Sequence, residues 1–357
     1  MVAKTPFAPL SPGKFRAMGR LADADGRFAM LAVDQRGAMR SLLSATLGHA
    51  PHFEDICAVK RSIVEHLAGQ ATAVLIDPDY GLPAALSALP ATSGLIVTID
   101  AADYDTSDAG RTTRLVSDWS VEKVKRLGAD AIKLLVYYSP RADQAVLDHQ
   151  HALIRRVGAD CARYDIAFML EPLIYQLGAD QAAFARDRTS LVLDSTAALA
   201  DAAFQVDIYK LESPLPAAGL GDDPALRAKL TALFDDMTAK LPAPWVILSA
   251  AAAAKDFTAV LTAACMAGAS GYLAGRSIWK TAAEAFPDLD EMRRRLQVIG
   301  GPYMRDLNAM TDRLVPASKR IAKLRPIVGP DDFPASYAGF SPSTMKDGSQ
   351  PRLGEIS

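Results

Sequence analysis

The chain is poor in the residues that usually announce a metal, a disulfide framework or a polyanionic partner. Cysteine occurs three times, at Cys57, Cys161 and Cys265. They are odd in number, far apart and without CxxC spacing, which predicts reduced and mostly buried thiols. His52, His66, His149 and His151 fall in expected helices or loops with no metal-ligand spacing, which favours structural or exposed rings. Neither sign of charge dominates: 39 Lys+Arg against 41 Asp+Glu leave a formal charge of -2. That balance offers no global attraction for nucleic acid or an anionic membrane, and allows only a local basic pocket for a small anion. No apolar run approaches the roughly 18 residues of a membrane span, and the opening MVAKTPFAPLSPGKF lacks the apolar core of a signal peptide. These absences predict a cytoplasmic protein acting on a small molecule, with no nucleic acid and no membrane among its partners. GxGxxG and GxxxxGK[ST] are also missing after the first strand, which argues against a doubly wound nucleotide-binding sheet.

What is present is ample core material: 50% of the 357 residues are hydrophobic and 22% charged. This length suits two ordinary domains or one large α/β barrel. The order of segments chooses the barrel. Eight short apolar runs recur, FAMLAVD (28–34), AVLID (73–77), GLIVTID (94–100), AIKLLVYY (131–138), AFMLEPL (167–173), VDIYKLE (206–212), WVILSA (245–250) and GYLAGR (271–276). Continuous apolar runs suit strands covered on both faces. Helix-like segments lie between them, VEKVKRLGAD and FTAVLTAACMAGAS among them, each ending near a glycine just before the next strand. The expectation is a single-domain (β/α)8 TIM barrel over residues 28–325, with residues 1–27 leading in and closing its base. Residues 326–357, rich in Pro, Ser and Gly, read as an extension, either loosely ordered or an arm touching another subunit of a homo-oligomer.

The informative residues are the charges inside these runs. Lys133 lies in the fourth strand, Glu171 in the fifth, Lys210 and Glu212 in the sixth; Asp34, Asp77 and Asp100 end the first three. Helices cover the outer face of a barrel, so a strand charge is placed most cheaply toward the polar mouth of the lumen, at the C-terminal ends of the strands. Any one of these charges alone reads equally well as a structural ion pair. Together, two lysines and two carboxylates point to chemistry. Two neighbouring ammonium groups oppose each other's charge, and burial acts in the same direction, which favours a free amine. Such an amine attacks a ketone to form a Schiff base, an electron sink for breaking the adjacent carbon–carbon bond. Glu171 is then the group to move the hydroxyl proton, with Asp34 positioning a hydroxyl or assisting. Two other readings stand beside this one. Asp34, Asp77, Asp100 and Glu171 would serve a metal-assisted lyase or isomerase as hard-oxygen ligands; alternatively, the pocket belongs to a non-catalytic sugar-phosphate sensor.

FAMLAVDQRGAMR, LIDPDYGLPAA, AGRTTRLVSDWSVEKVKRLGADAIKLLVYY, FMLEPLIY, VDIYKLESP and GYLAGRSIW together resemble the tagatose 1,6-bisphosphate aldolase family of class I aldolases, from about residue 28 to 280 and in register with all eight runs. The resemblance implies a TIM barrel, a Schiff-base lysine at Lys210, an acid/base glutamate at Glu171, active-site roles for Lys133 and Asp34, and neither metal nor cofactor. It also implies a phosphorylated ketohexose as substrate, tagatose 1,6-bisphosphate foremost. APWVILS and AGASGYLAGRSIW are at least as similar to sulfofructose-phosphate aldolases, which makes 6-deoxy-6-sulfofructose 1-phosphate the alternative. Substrate contacts are expected from Gln35, which follows Asp34, and from Ser249, Ala250, Gly275 and Arg276, because loops after the seventh and eighth strands commonly hold a phosphate. One departure concerns this loop: the family has a glycine soon after the serine where this chain reads SAAAAAKDF, and alanine adopts φ > 0 less easily. Arg36 reads equally as a substrate contact and as a brace for the barrel. Arg111 reads either as a contact for a distal anion or as a solvated loop charge. Tyr137 and Tyr138 are expected to place one ring toward the lumen and one toward the helices, both as core.

Overall fold

The computed structural model describes residues 10–319 together with Ile321 and Tyr337. The extension expected over residues 326–357 therefore lies outside the described residues, apart from Tyr337. Ten strands follow in chain order: β1 Phe28–Ala32, β2 Ala73–Ile76, β3 Gly94–Thr98, β4 Asp100–Ser107, β5 Gly110–Leu115, β6 Ala131–Tyr137, β7 Ala167–Leu173, β8 Ile208–Leu211, β9 Trp245–Leu248 and β10 Gly271–Ala274. Eight of them close in the order β1-β10-β9-β8-β7-β6-β3-β2, with β1 parallel to both β10 and β2. All eight expected runs occupy these positions, and the fold is a TIM barrel.

Two-sided burial explains why the runs are continuously apolar. On the inner face Met30, Leu75, Ile96, Met169, Val246 and Leu273 pack with one another and with Ala17, Met18 and Leu21 of the helix Pro12–Leu21, which stoppers the N-terminal end of the barrel. Alternate residues such as Leu31, Val74, Ile132, Phe168, Trp245 and Tyr272 face the helical layer. A buried pair, Lys14 Nζ to Asp207 Oδ2 at 2.7 Å, fastens the stopper helix to the chain entering β8. Gly271 shows how closely β10 meets β1: its φ is +141°, and a Cβ there would lie 1.9 Å from the Phe28 carbonyl oxygen. No helix of the described residues is long and apolar enough to cross a membrane.

The antiparallel hairpin β4–β5 departs from the sequence reading, which took Asp100 as the end of the third strand. Asp100 instead opens β4, and the chain runs out to Ser107 and back before the helix Val121–Leu127. Most β4 side chains are exposed, so it carries no apolar alternation to reveal it.

Candidate active site

Counting along the strands shows why the charged side chains meet. Ala131 of β6 and Ala167 and Met169 of β7 face the lumen. Two-residue alternation then turns Lys133 and Glu171 the same way, and Ile208 does the same for Lys210. All three lie near the C-terminal ends of neighbouring strands, above the apolar layers.

The Glu171 carboxylate bridges the two ammonium groups, with Oε1 2.9 Å from Lys210 Nζ and Oε2 3.0 Å from Lys133 Nζ. Lys133 Nζ also donates to Asp34 Oδ2 at 3.0 Å and to Asp100 Oδ1 at 3.3 Å. Asp100 turns back toward the strand ends: it accepts from Thr98 Oγ1 and, at 2.9 Å, from the Leu135 amide. Arg36 completes the network, reaching Asp100 at 2.9 Å and Asp79 at 3.1 Å. Lys133, Lys210, Glu171, Asp34 and Asp100 are all buried. Charges this deep persist only when paired, and here each has an opposite neighbour.

The fields act unequally on the members. Burial opposes the charge of Lys133, yet Asp100, Asp34 and Glu171 outweigh it and hold its pKa above the ordinary lysine value. Burial likewise pushes the Asp34 carboxyl up, but Lys133, Lys210 and Arg36 overcome it and hold the group well below the usual carboxylate range. Lys133 is thus a fixed cation and Asp34 a fixed anion. Glu171 Oε2 lies 3.0 Å from Lys133 Nζ, and a carboxylate oxygen paired with one ammonium keeps a second lone pair. That is the accepting site a proton-transfer group requires.

The expected substrate contacts gather on the β9–β10–β1 side. Gly275 packs against the end of β1, where a Cβ would lie 2.4 Å from the Ala32 carbonyl oxygen and 3.1 Å from Gln35 Nε2. Gln35 Oε1 is buried without a partner. Arg276 begins the helix Arg276–Ala283 and has no carboxylate partner among the described residues. Trp279 Nε1 donates to the Ala32 carbonyl at 2.9 Å and pins that helix to β1. Ser249 is buried, and its carbonyl accepts from the Ala252 amide at 2.8 Å, closing a turn in which Ala250 (φ 46°) and Ala251 (φ 61°) are both left-handed. Alanine therefore adopts here the backbone that a glycine would take without strain.

Several residues depart from their expected places. Asp77 does not join the mouth: it pairs with the fully buried Lys60 of the helix Phe53–Leu67, and Lys60 Nζ also donates to the Val33 carbonyl at 2.5 Å. The four carboxylates weighed as hard-oxygen ligands thus do not converge, and Asp34, Asp100 and Glu171 are each taken by Lys133. Among the described residues no His, Cys, Asp and Glu cluster is arranged to hold a metal. Glu212, expected from its parity with Lys210 as a supporting neighbour near the mouth, is bound by Arg188 Nη2 at 2.5 Å and the Ile174 amide at 2.7 Å. Burial pushes its carboxyl up against the opposing pull of Arg188. Tyr138 is core and hydrogen-bonds His151 at 2.9 Å. Tyr137 is half-buried and instead meets Tyr104 of the hairpin, ring centroids 4.2 Å apart. Asp100 is the site residue that the sequence reading did not join to the lysines. Its one signal was parity, since it shares the inner face with Ile96 and Thr98.

A closed eight-stranded barrel with two buried lysines and a carboxylate between them at its mouth is a setting suited to amine attack on a carbonyl, and the comparisons show that the protein is a class I aldolase. Comparison places it further. Residues 28–281 match the sequence model described as DeoC/LacD family aldolase, and the chain belongs to that family. Tagatose 1,6-diphosphate aldolase 1 of Streptococcus mutans serotype c is 33% identical over 296 residues, covering 80% of this chain and 91% of its own. Tagatose 1,6-diphosphate aldolase 2 of Streptococcus agalactiae serotype III is 32% identical over 311 residues, covering 84% and 95%. Among solved structures, an archaeal fructose-1,6-bisphosphate aldolase with its catalytic lysine covalently bound to the carbinolamine intermediate aligns with a TM-score of 0.53 at 15% identity, over 84% of this chain and 99% of its own. That likeness is one of fold.

Proposed function

We propose that this aldolase cleaves a phosphorylated ketohexose, tagatose 1,6-bisphosphate foremost, into dihydroxyacetone phosphate and glyceraldehyde 3-phosphate, with Lys210 as the imine-forming residue. The observation that carries the reading is the contact of Glu171 Oε1 with Lys210 Nζ at 2.9 Å, with the other carboxylate oxygen turned to Lys133. Glu171 accepts the ammonium proton of Lys210, and the freed amine attacks the C2 ketone. Glu171 returns that proton to the carbinolamine oxygen, which leaves as water and gives the iminium, and Glu171 is again a carboxylate. Glu171 then takes the proton of the C4 hydroxyl as the C3–C4 bond breaks, and the bonding electrons pass into the iminium to give an enamine. The aldehyde leaves, Glu171 returns its proton to C3, and water hydrolyses the iminium to release the ketone, leaving Lys210 and Glu171 as they began. Lys133, fixed as a cation, donates to the carbinolamine oxygen as charge develops there. Asp34, fixed as an anion, orients a substrate hydroxyl as an acceptor. Direct repulsion between the lysines plays a smaller part than the sequence alone suggests, because a carboxylate stands between them.

Ser249, Ala250, Gly275 and Arg276 form the proposed pocket for the phosphate nearest the ketone, with Gln35 beside it for a sugar hydroxyl. Relatives that are 32–33% identical and named for tagatose 1,6-diphosphate support the substrate class. The competing substrate, 6-deoxy-6-sulfofructose 1-phosphate, rests on the sequence likeness of the segments around β9 and β10. Borohydride treatment in the presence of dihydroxyacetone phosphate should leave a reduced adduct on Lys210; an unmodified Lys210 by mass spectrometry ends the imine reading. The kcat/KM ratio among tagatose 1,6-bisphosphate, fructose 1,6-bisphosphate and the sulfo-sugar then decides the substrate.

A further inference from the structure

The hairpin carries an arginine that the chemistry above leaves idle. The guanidinium carbon of Arg111, on β5, lies 4.7 Å from the ring centroid of Tyr104, 4.9 Å from that of Tyr175 and 5.3 Å from that of Tyr137. The Arg111 amide donates to Tyr175 Oη at 3.0 Å. Gly110 makes this approach possible: its φ is +140°, and a Cβ would lie 2.6 Å from the same hydroxyl. Side chains from β4, β6 and the segment after β7 are therefore built around one cation. Rings attract a guanidinium and fix its plane, but they do not neutralise it. Among the described residues no carboxylate pairs with Arg111, and its guanidinium N–H groups have no acceptor. The buried or braced arginines differ in this respect, since Arg36 is tied to Asp79 and Asp100, and Arg188 to Glu212.

Its position gives the idle charge a use. Tyr137 lies four residues beyond Lys133 on the inward-facing register of β6, and Tyr175 four beyond Glu171. Burial, chiefly, raises the Tyr137 hydroxyl, while Arg111 and Lys133 both pull it the other way, so charges from the hairpin and from the mouth act on the same ring. Around the barrel the order runs β10-β9-β8-β7-β6, which sets β10 and β6 on opposite sides with β8 midway. Arg276, following β10, and the Tyr137 ring of β6 that Arg111 stacks over thus lie on opposite sides of the barrel, with the strand of Lys210 midway around the wall. A ketose carrying an oxyanion at each end and its ketone near one of them has this charge pattern. Resting on the aldolase reading, we infer that Arg111 is the anchor for the oxyanion at the far end of the substrate, and so a specificity-determining residue. A tetrahedral phosphate and a sulfonate present the same oxygen edge to a planar guanidinium.

The test compares Arg111→Gln and Arg111→Lys with the unaltered full chain on a ketohexose 1,6-bisphosphate, the corresponding 1-phosphate and 6-deoxy-6-sulfofructose 1-phosphate. Glutamine keeps a planar group for the rings but removes the charge. We expect Arg111→Gln to lose about 10- to 100-fold in kcat/KM on the doubly anionic substrate, mostly in KM, and almost nothing on the 1-phosphate. Arg111→Lys should recover part of the loss, because it restores charge without the fork. Whichever of the 6-phosphate and 6-sulfonate substrates shows the larger loss is the natural far-end group. An equal fall on the singly and doubly anionic substrates overturns the inference and leaves Arg111 as a staple for the hairpin. If Arg111→Gln lowers the melting temperature, the same substrate ratio measured with Arg111→Lys decides instead. Dihydroxyacetone phosphate has no far end, so borohydride trapping on Lys210 should be the same in Arg111→Gln and the unaltered chain. Failure of trapping in the unaltered chain removes the underlying aldolase reading, whatever Arg111 does.

Discussion

Glu171 and Lys210 face each other from adjacent parallel strands, with Oε1 and Nζ 2.9 Å apart inside a mouth where both are buried. The second carboxylate oxygen lies 3.0 Å from Lys133 Nζ. In the proposed mechanism this one carboxylate serves an amine that must lose a proton and a hydroxyl that must lose another. Glu171→Gln keeps the volume and removes the base. We expect kcat to fall by about 10²- to 10⁴-fold, the usual range for a positioned proton-transfer group. Lys210→Met should abolish borohydride trapping altogether, whereas Glu171→Gln should still trap, more slowly. Trapping at the unaltered rate in Glu171→Gln would remove the carboxylate from imine formation.

Lys133 has the opposite balance: three carboxylates surround one ammonium. Removing that ammonium leaves Asp34, Asp100 and Glu171 buried together with reduced compensation. Breaking one partner out of a buried pair typically costs about 3–5 kcal/mol, because the remaining charge is stranded. Lys133→Met should therefore lower stability by about that amount in urea unfolding. Lys133→Met combined with Asp100→Asn should regain part of it. A single variant as stable as the unaltered chain would mean that the three acids find other partners.

The same field makes acid sensitivity predictable in sign. Asp34 has a folded pKa well below its unfolded value, which is about 3.9. Its contribution to stability is fully present above the unfolded pKa and is lost as pH falls from there toward the folded pKa. Urea midpoints measured between about pH 6 and pH 3 should fall more steeply for the unaltered chain than for Asp34→Asn, which has no such proton to take up. Parallel curves would show that Asp34 is not held down by Lys133 and Lys210.

The barrel was legible because its strands are buried on both faces. FAMLA, AVLI and GLIVT admit few readings, and the lysines and glutamate within later runs stand out against them. The cost of a charge on the helix-covered face then placed Lys133, Glu171 and Lys210 together at the mouth. Asp100 and the hairpin were not legible for a common reason. β4 is held by antiparallel pairing with β5 and by tyrosine contacts made through folding, and its mostly exposed side chains leave no periodic trace. The burial of Lys60 with Asp77 was equally hidden, since a lysine in FEDICAVKRSIVEHL looks like one more charge on an amphipathic helix.

Two small residues near β1 and β9 should respond to substitution in opposite ways, although both sit in the proposed phosphate pocket. Gly275 has no room for a Cβ, which would meet the Ala32 carbonyl oxygen at 2.4 Å, and its φ of -137° means that space, not backbone strain, is the restriction. Gly275→Ala must push β10 away from β1 and displace Gln35, at about 1–3 kcal/mol for an overpacked site. Ala250 faces the reverse situation, since its left-handed backbone costs an alanine about 1–2 kcal/mol that a glycine does not incur. The greater freedom of glycine in the unfolded chain takes back about 0.4–1 kcal/mol. Ala250→Gly should therefore melt no lower than the unaltered chain, and Gly275→Ala several degrees below it. In the retro-aldol assay only Gly275→Ala should raise KM, since it alone moves a wall of the pocket. Equal melting temperatures for the two variants would mean that the end of β10 yields more easily than its contact with Ala32 implies.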